Sequence, residues 1–155
     1  MDKYTFFWKT MELCDWEQEG DDDLVLQSVI EYLSTKEDSE IFGFENQMSE
    51  LLYSLDTRKL AKQNKKADGY FSEDEFLYSR CVALINGEVY YKNALLGKCP
   101  EMWGMEFESL LYVAPKAWAL KHQKNESEYP NIPPFSYETG SNTDGWKKRK
   151  FLLFG

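Results

Sequence analysis

Histidine and cysteine are scarce in this 155-residue sequence, which contains one histidine and three cysteines. The cysteines are widely spaced and form no CxxC pair, so we expect free thiols in a reducing cytoplasm rather than disulfides. A Ser-His-Asp or Cys-His mechanism would rest entirely on His122, which has no nucleophile-elbow motif near it. A glycine-rich phosphate loop is also absent. We therefore predict no metal, no cofactor and no recognisable catalytic residue.

Long apolar runs are absent as well. No run approaches the ~18 residues that would indicate a membrane span. The first 16 residues, MDKYTFFWKTMELCDW, lack the basic start and the long apolar core of a signal peptide. Both absences favour a cytoplasmic protein that has no membrane partner.

Basic residues are outnumbered, with 18 lysines and arginines against 27 aspartates and glutamates. Four of the 18 lie in the stretch KKRK at residues 147–150, so the rest of the chain carries 14 basic residues and a net charge of −13. Such an acidic domain repels phosphate backbones, which argues against nucleic acid as a partner and favours docking on a basic protein. A nucleic-acid site would rest on KKRK alone, and we expect that stretch to be a solvated tail.

Apolar residues are plentiful, at 43% of the chain, and their spacing is helical. Leu26, Val29, Ile30 and Leu33 form one such stripe, whereas strand-like alternation is nowhere sustained. The length suits one domain with one core. We predict an all-α, compact, single-domain bundle of about six helices over residues 1–124. The proline-rich residues 125–155 should form an extended segment packed on the same domain.

Four predictions about helix boundaries can be compared with the structure. One long helix should run over residues 40–63 and be capped by Ser39. A lysine-rich hinge should follow at residues 62–69, and another helix should begin after Ser72. In the helical pattern of residues 105–122, Pro115 either kinks a helix or opens a new one in its first turn.

Residues 64–75, NKKADGYFSEDE, can be interpreted in two ways. With Asn64 at position 1, Gly69 and Glu75 occupy the glycine and glutamate positions of a calcium loop. However, Lys66 then occupies a position that needs an oxygen ligand, and no second loop exists. The favoured interpretation is that Ser72 caps a helix and that Glu75 reaches back to it in a capping box.

The second half of the chain carries a family resemblance, centred on GYFSEDEFLYSRCVALINGEVYYKNAL at residues 69–95. This stretch resembles a signature of the bacterial domain-of-unknown-function family 4240, approximately G-G-C-S-D-D-x-F, then F-R-G-W-L-I, a glycine and a helix ending in A-L. The matching positions are Gly69, Ser72, Asp74, Phe76, Arg80, Gly87, Ala94 and Leu95. FENQMSELLYSLD upstream and FESLLYVAPKAW downstream are similar to further segments of that family. The resemblance covers roughly residues 4–121 and implies a small, mostly helical bacterial protein with no agreed activity, so no catalytic residue can be transferred.

Two groups of residues are candidates for a binding site. Asp74 and Arg80 are six residues, or nearly two turns, apart on one predicted helix, so we expect them to share a broad side of it without touching. Each either forms a structural ion pair with the first helix or with FESLLY, or contributes to a polar ligand site. Aromatic residues crowd the final third of the chain, and Trp118, Tyr137 and Trp146 are the candidates for partner contacts. Rings on exposed loops are typical interface anchors, although these rings could instead pack the tail onto the helices.

Two classes of function remain open. A small acidic helical protein without catalytic residues is typical of immunity and antitoxin proteins, which bind a basic partner such as a toxin domain. The alternative is an enzyme or small-ligand-binding domain with a polar site around Asp74 and Arg80.

Overall fold

The structure, a computed structural model, describes residues 2–147, and it confirms the all-α fold class. Within that range the chain forms eight α-helices and no strand. The α-helices are α1 Thr5–Met11, α2 Asp22–Ser34, α3 Asp38–Leu55, α4 Arg58–Asp68, α5 Glu73–Ile85, α6 Glu88–Leu95, α7 Val113–His122 and α8 Thr143–Trp146. Short 3-10 helices lie at Trp16–Gln18, Pro100–Gly104, Glu108–Tyr112 and Glu126–Glu128. None of the helices in residues 2–147 is long and apolar enough to cross a membrane.

The predicted long helix over residues 40–63 is two helices, which is one reason why the count exceeds six. Asp56, with φ −80° and ψ 77°, leaves the helical conformation and ends α3. Thr57 then caps α4 by accepting a hydrogen bond from the Leu60 amide. Ser39 lies inside α3, whose cap is Glu37. The short helix α8 in the C-terminal segment accounts for the rest of the difference.

The lysine-rich stretch at residues 62–69 is not a hinge, because most of it is the second half of α4. The helix ends at Gly69, which adopts the left-handed conformation with φ +81° and donates its amide to the Lys65 carbonyl. Left-handed backbone favours glycine, which has no Cβ to clash. Pro115 is the third residue of α7, so it lies in the first turn of a new helix rather than kinking one.

The core is built around α3, which packs against α1, α5, α6 and α7. Fully buried side chains include Phe7, Phe44, Leu52 and Phe76. Phe76 stacks on Trp103 with ring centroids 5.4 Å apart. Burial of each such side chain stabilises the fold by about 1.5–3 kcal/mol, so these rings fix how α5 sits on the rest of the domain.

The C-terminal segment, defined here as residues 125–147, lies over the helical domain. Along residues 131–140 its residues alternate between half-buried and exposed, which is the pattern of an extended chain with one face on a surface. Ile132, on the outer face, is 87% exposed. Lys147 is exposed and pairs with Asp144 at 2.9 Å, whereas residues 148–150 of the KKRK stretch lie outside the described residues.

Candidate functional site

Arg80 of α5 is fully buried and links the helical domain to the C-terminal segment. Its guanidinium donates hydrogen bonds to the Leu52 carbonyl of α3 at 2.9 Å, the Tyr137 carbonyl at 2.9 Å and the Thr139 hydroxyl at 3.1 Å. Burial lowers the pKa of Arg80 to about 10, so the side chain stays charged at neutral pH, and the nearby negative charge of Asp56 favours that charged form. Arg80 is therefore a structural cation that binds main-chain and hydroxyl oxygens.

Asp56 holds the far end of the same segment. Its carboxylate is fully buried at the break between α3 and α4. It accepts hydrogen bonds from the Gly140 amide at 3.0 Å, the Asn142 amide at 3.1 Å and the Trp146 indole Nε1 at 2.7 Å. Charge-assisted bonds of this kind are stronger than neutral ones. Asp56 and Arg80 thus bind the C-terminal segment at two points.

A third buried charge holds the start of the segment. Glu45 lies in α3, eleven residues or three turns before Asp56, the residue that ends this helix, so the spacing places both residues on the same side of α3. Glu45 accepts hydrogen bonds from the Tyr129 hydroxyl at 3.0 Å and the Asn131 side-chain amide at 2.8 Å. Burial raises the pKa of Glu45 above its usual range, and these two donors partly oppose that effect.

Glu45 gives a pH-dependent prediction. Because the folded-state pKa is raised, its contribution to stability is full below the unfolded pKa and is lost as pH rises through the folded value. We expect Glu45→Gln, which keeps an acceptor oxygen without the charge, to match or exceed the wild type in free energy of unfolding at pH 7. That advantage should disappear near pH 4. Urea titrations between pH 4 and pH 7 measure the difference in free energy of unfolding between the variant and the wild type. A variant that loses stability relative to the wild type as the pH rises from 4 to 7 would contradict this prediction.

Asp74 and Arg80 do not form a joint polar site. Six residues correspond to about 600° of helical rotation, which places the two side chains about 120° apart around α5. Arg80 points into the domain, whereas Asp74 is exposed in the first turn. The expectation that they share one side of the helix is therefore wrong.

Asp74 instead belongs to a surface cluster of exposed and half-buried side chains, which we call the acidic tyrosine face: Asp74, Tyr78, Glu108, Tyr112 and Glu138. Tyr78 lies among the three carboxylates, and burial followed by these charges raises the pKa of its phenol. Tyr112 is 44% exposed and donates its hydroxyl to Glu108 at 2.8 Å, which with burial raises its pKa to about 12. Within residues 2–147, none of the three carboxylates forms an ion pair with lysine or arginine.

The aromatic candidates for partner contacts pack the C-terminal segment onto the domain. Trp118 is 6% exposed in α7 and meets the Tyr129 ring edge-on at 6.0 Å. Tyr137 is half-buried, and its carbonyl accepts from Arg80. Trp146 packs edge-on against Phe76 and is held by Asp56. In this conformation the three rings are packing residues, not exposed anchors, because the segment that carries two of them lies against the helices.

The histidine and the cysteines have ordinary structural surroundings. His122 Nε2 lies 2.8 Å from an Asp38 carboxylate oxygen, which also accepts from Lys121, and these hydrogen bonds lower the pKa of Asp38. Burial raises the pKa of Cys14 to about 11 and that of Cys81 to about 12, so both thiols are protonated at neutral pH. A protonated thiol is a poor nucleophile.

Residues 64–75 form the end of one helix and the start of the next. Asn64 is buried inside α4 and donates to Asp68 at 3.1 Å, so the first half of the supposed calcium loop is helical. Ser72 caps α5 by accepting from the Glu75 amide at 3.3 Å. The prediction that Glu75 reaches back to Ser72 in a capping box is wrong, because the Glu75 carboxylate accepts a hydrogen bond from the Tyr70 hydroxyl at 2.6 Å. No group of metal-ligating side chains occurs in residues 2–147.

The Ser72 cap is open to direct measurement. Replacing Ser72 with alanine leaves the Glu75 amide without its side-chain acceptor, so we expect the free energy of unfolding to fall by about 1 kcal/mol. Ser141→Ala, in the C-terminal segment, serves as the control. A change near zero in a urea titration with unaltered slope would show that the cap contributes nothing.

The family match covers the helical domain up to α7. Residues 1–119 match the family described as "Protein of unknown function (DUF4240)". No curated protein and no solved structure matches the chain. The matched range includes Glu45, Asp56, Asp74 and Arg80, whereas the C-terminal segment that three of them bind lies beyond it. Since the match extends over most of the sequence, the chain belongs to the DUF4240 family of proteins of unknown function.

Proposed function

We propose that the protein is a non-catalytic, cytoplasmic protein-binding domain of the immunity or antitoxin type, which docks on a basic partner through the acidic tyrosine face. The observation that carries this proposal is that Asp74, Glu108 and Glu138 all lie near enough to Tyr78 to raise the pKa of its phenol, while none of the three forms an ion pair within residues 2–147. Three carboxylates on one face give it a negative potential, which would attract a cationic partner surface.

The chemistry of the face suits a protein partner. Tyrosine side chains combine a rigid ring with a polar hydroxyl, and they are enriched among the hot-spot residues at the buried centre of protein interfaces. Tyr112 is exposed but held in place by its hydrogen bond to Glu108, so little conformational freedom would be lost on binding. The surrounding negative charge would accelerate the encounter with a basic surface.

The alternative, an enzyme or ligand-binding domain around Asp74 and Arg80, has less support. Arg80 is buried beneath the C-terminal segment, and its two terminal nitrogens donate to Leu52, Tyr137 and Thr139. Asp74 lies on the surface on another side of α5. A substrate could not contact both groups without displacement of the segment.

Affinity capture with matched variants tests the proposal. The bait proteins are the wild type, the face variant Asp74→Asn/Glu138→Gln, and the control Glu17→Gln/Glu19→Gln, which removes two exposed charges elsewhere. We expect mass spectrometry of captures from the source organism to yield a basic protein that the wild type and the control retain and the face variant loses. Equal retention by both variants, or an acidic partner, would contradict the proposal.

Tyr112 provides the second measurement on the same complex. Tyr112→Ala should raise the dissociation rate by about tenfold, because it removes a central anchor. Tyr70→Ala is the matched control, since Tyr70 is 55% exposed and also donates to a glutamate, but lies outside the face. If the two variants dissociate equally fast, Tyr112 is not an anchor.

A further inference from the structure

A cleft of about 250 Å³ opens beside α4, and it shares no lining residue with the acidic tyrosine face. It is lined by the basic residues Arg58, Lys62 and Lys65 together with Ala61, Phe71 and Trp146. We call it the basic aromatic cleft. Of its lining residues only Trp146 is a candidate from the sequence, because the sequence pattern predicts a hinge in the lysine-rich stretch and not a helix with a basic face.

The three cations of the cleft lie on one side of α4 and lack counter-charges. Their spacing of four and three residues places them on the same helix face. Within residues 2–147 none of them forms an ion pair with a carboxylate, although the protein is acidic overall. Like charges four residues apart disfavour the helix that carries them, so a bound anion would stabilise this arrangement.

The aromatic wall of the cleft is held in a fixed orientation. The Trp146 indole donates to the buried Asp56 carboxylate at 2.7 Å and meets the Phe71 ring edge-on, with centroids 6.2 Å apart. Phe71 in turn packs against the core ring Phe76 at 5.5 Å. Both Phe71 and Trp146 remain partly exposed, so each offers an apolar surface next to the cations. A planar ring can stack on such a surface at little conformational cost.

We propose that the basic aromatic cleft binds a nucleoside phosphate, with the phosphate among Arg58, Lys62 and Lys65 and the base against Phe71 and Trp146. The cations call for an anion that can accept several charge-assisted hydrogen bonds, which a phosphate does. The adjoining aromatic wall calls for a planar group attached to that anion. The small volume and the acidic remainder of the protein favour a single nucleotide over a nucleic-acid strand. This proposal is independent of the proposed protein partner.

Calorimetric titration of the full chain with AMP, GMP, CMP, UMP, adenosine and inorganic phosphate tests the site. We expect one-site binding of at least one of the nucleoside monophosphates, and weaker binding of both adenosine and phosphate. The variant Lys62→Gln/Lys65→Gln should weaken that binding by about tenfold or more, whereas Lys66→Gln, on the same helix but outside the lining, should change it by less than about twofold. Phe71→Leu, which keeps the wall apolar, should weaken the binding of the nucleotide but not the binding of phosphate.

Four results would overturn the proposal. The first is the absence of binding by every nucleotide at millimolar concentration. The second is phosphate binding as tight as nucleotide binding, which would leave the aromatic wall without a role. The third is a loss of nucleotide affinity in Lys66→Gln as large as that in Lys62→Gln/Lys65→Gln, which would indicate non-specific electrostatic attraction. The fourth is much tighter binding of a single-stranded oligonucleotide than of any mononucleotide.

Discussion

Replacing Arg80 with alanine is expected to lower the free energy of unfolding by about 3–5 kcal/mol. The substitution leaves a cavity in the core and removes the donor shared by the Leu52 carbonyl, the Tyr137 carbonyl and the Thr139 hydroxyl. The C-terminal segment should also loosen, because one of the three buried charged residues that bind it is lost. Urea unfolding measures the first effect, and hydrogen exchange over residues 137–142 measures the second.

Two further variants separate charge from volume. Arg80→Met keeps most of the side-chain volume, so it should cost less than alanine, about 2 kcal/mol, through the unpaired acceptors alone. Arg58→Ala removes a partly exposed arginine and should have little effect on stability. If Arg80→Ala were as mild as Arg58→Ala, the bonds from Arg80 to the segment would contribute nothing to the fold.

Asp56→Ala should cost about 2–4 kcal/mol and should release the end of the C-terminal segment. It leaves the Gly140 amide, the Asn142 amide and the Trp146 indole without their common acceptor. The amides of Gly140 and Asn142 should therefore exchange with solvent much faster than in the wild type. Amide exchange followed by mass spectrometry or NMR measures this directly.

Asp144→Ala is the matched control for Asp56. Asp144 lies in the same segment, but its carboxylate is exposed and pairs only with Lys147 within residues 2–147. We expect it to leave both stability and exchange nearly unchanged. Rapid exchange of Gly140 and Asn142 in the control, or continued protection in Asp56→Ala, would show that the segment is held by something other than this carboxylate.

Local sequence patterns were enough to predict the fold class and several helix ends. The helix after Ser72 follows from a capping serine, acidic residues in the first turn and an apolar run. Pro115 opens α7 in its first turn, which is one of the two alternatives that the sequence offered, and this backbone rule also operates within a few residues. Such signals are local, so the sequence carries them without reference to the rest of the fold.

The buried polar contacts could not be predicted in the same way. Asp56 interrupts an otherwise continuous helical pattern, and its partners Gly140, Asn142 and Trp146 are 84 to 90 residues away in the chain. Glu45 likewise finds Tyr129 at a separation of 84 residues. Aspartate and glutamate are almost always solvated, so only the tertiary structure shows that these two are buried and paired.

The acidic tyrosine face could not be predicted from the sequence for the same reason. Asp74 was a candidate, but its neighbours Glu108 and Glu138 come from a 3-10 helix and from the C-terminal segment. In a chain with 27 acidic residues, no sequence pattern distinguishes these three. The expectation that Asp74 and Arg80 share one side of α5 was wrong because helix geometry directs the two side chains to different sides.

The association rate of the captured basic partner, measured by surface plasmon resonance over a salt series, tests the proposed docking most directly. For the wild type we expect the rate constant to fall steeply as salt screens charges over a Debye length of about 8 Å at physiological ionic strength. The variant Asp74→Asn/Glu138→Gln should associate more slowly and with a shallower salt dependence, whereas Glu17→Gln/Glu19→Gln should follow the wild type. Identical salt dependence for all three proteins would contradict docking through the acidic tyrosine face.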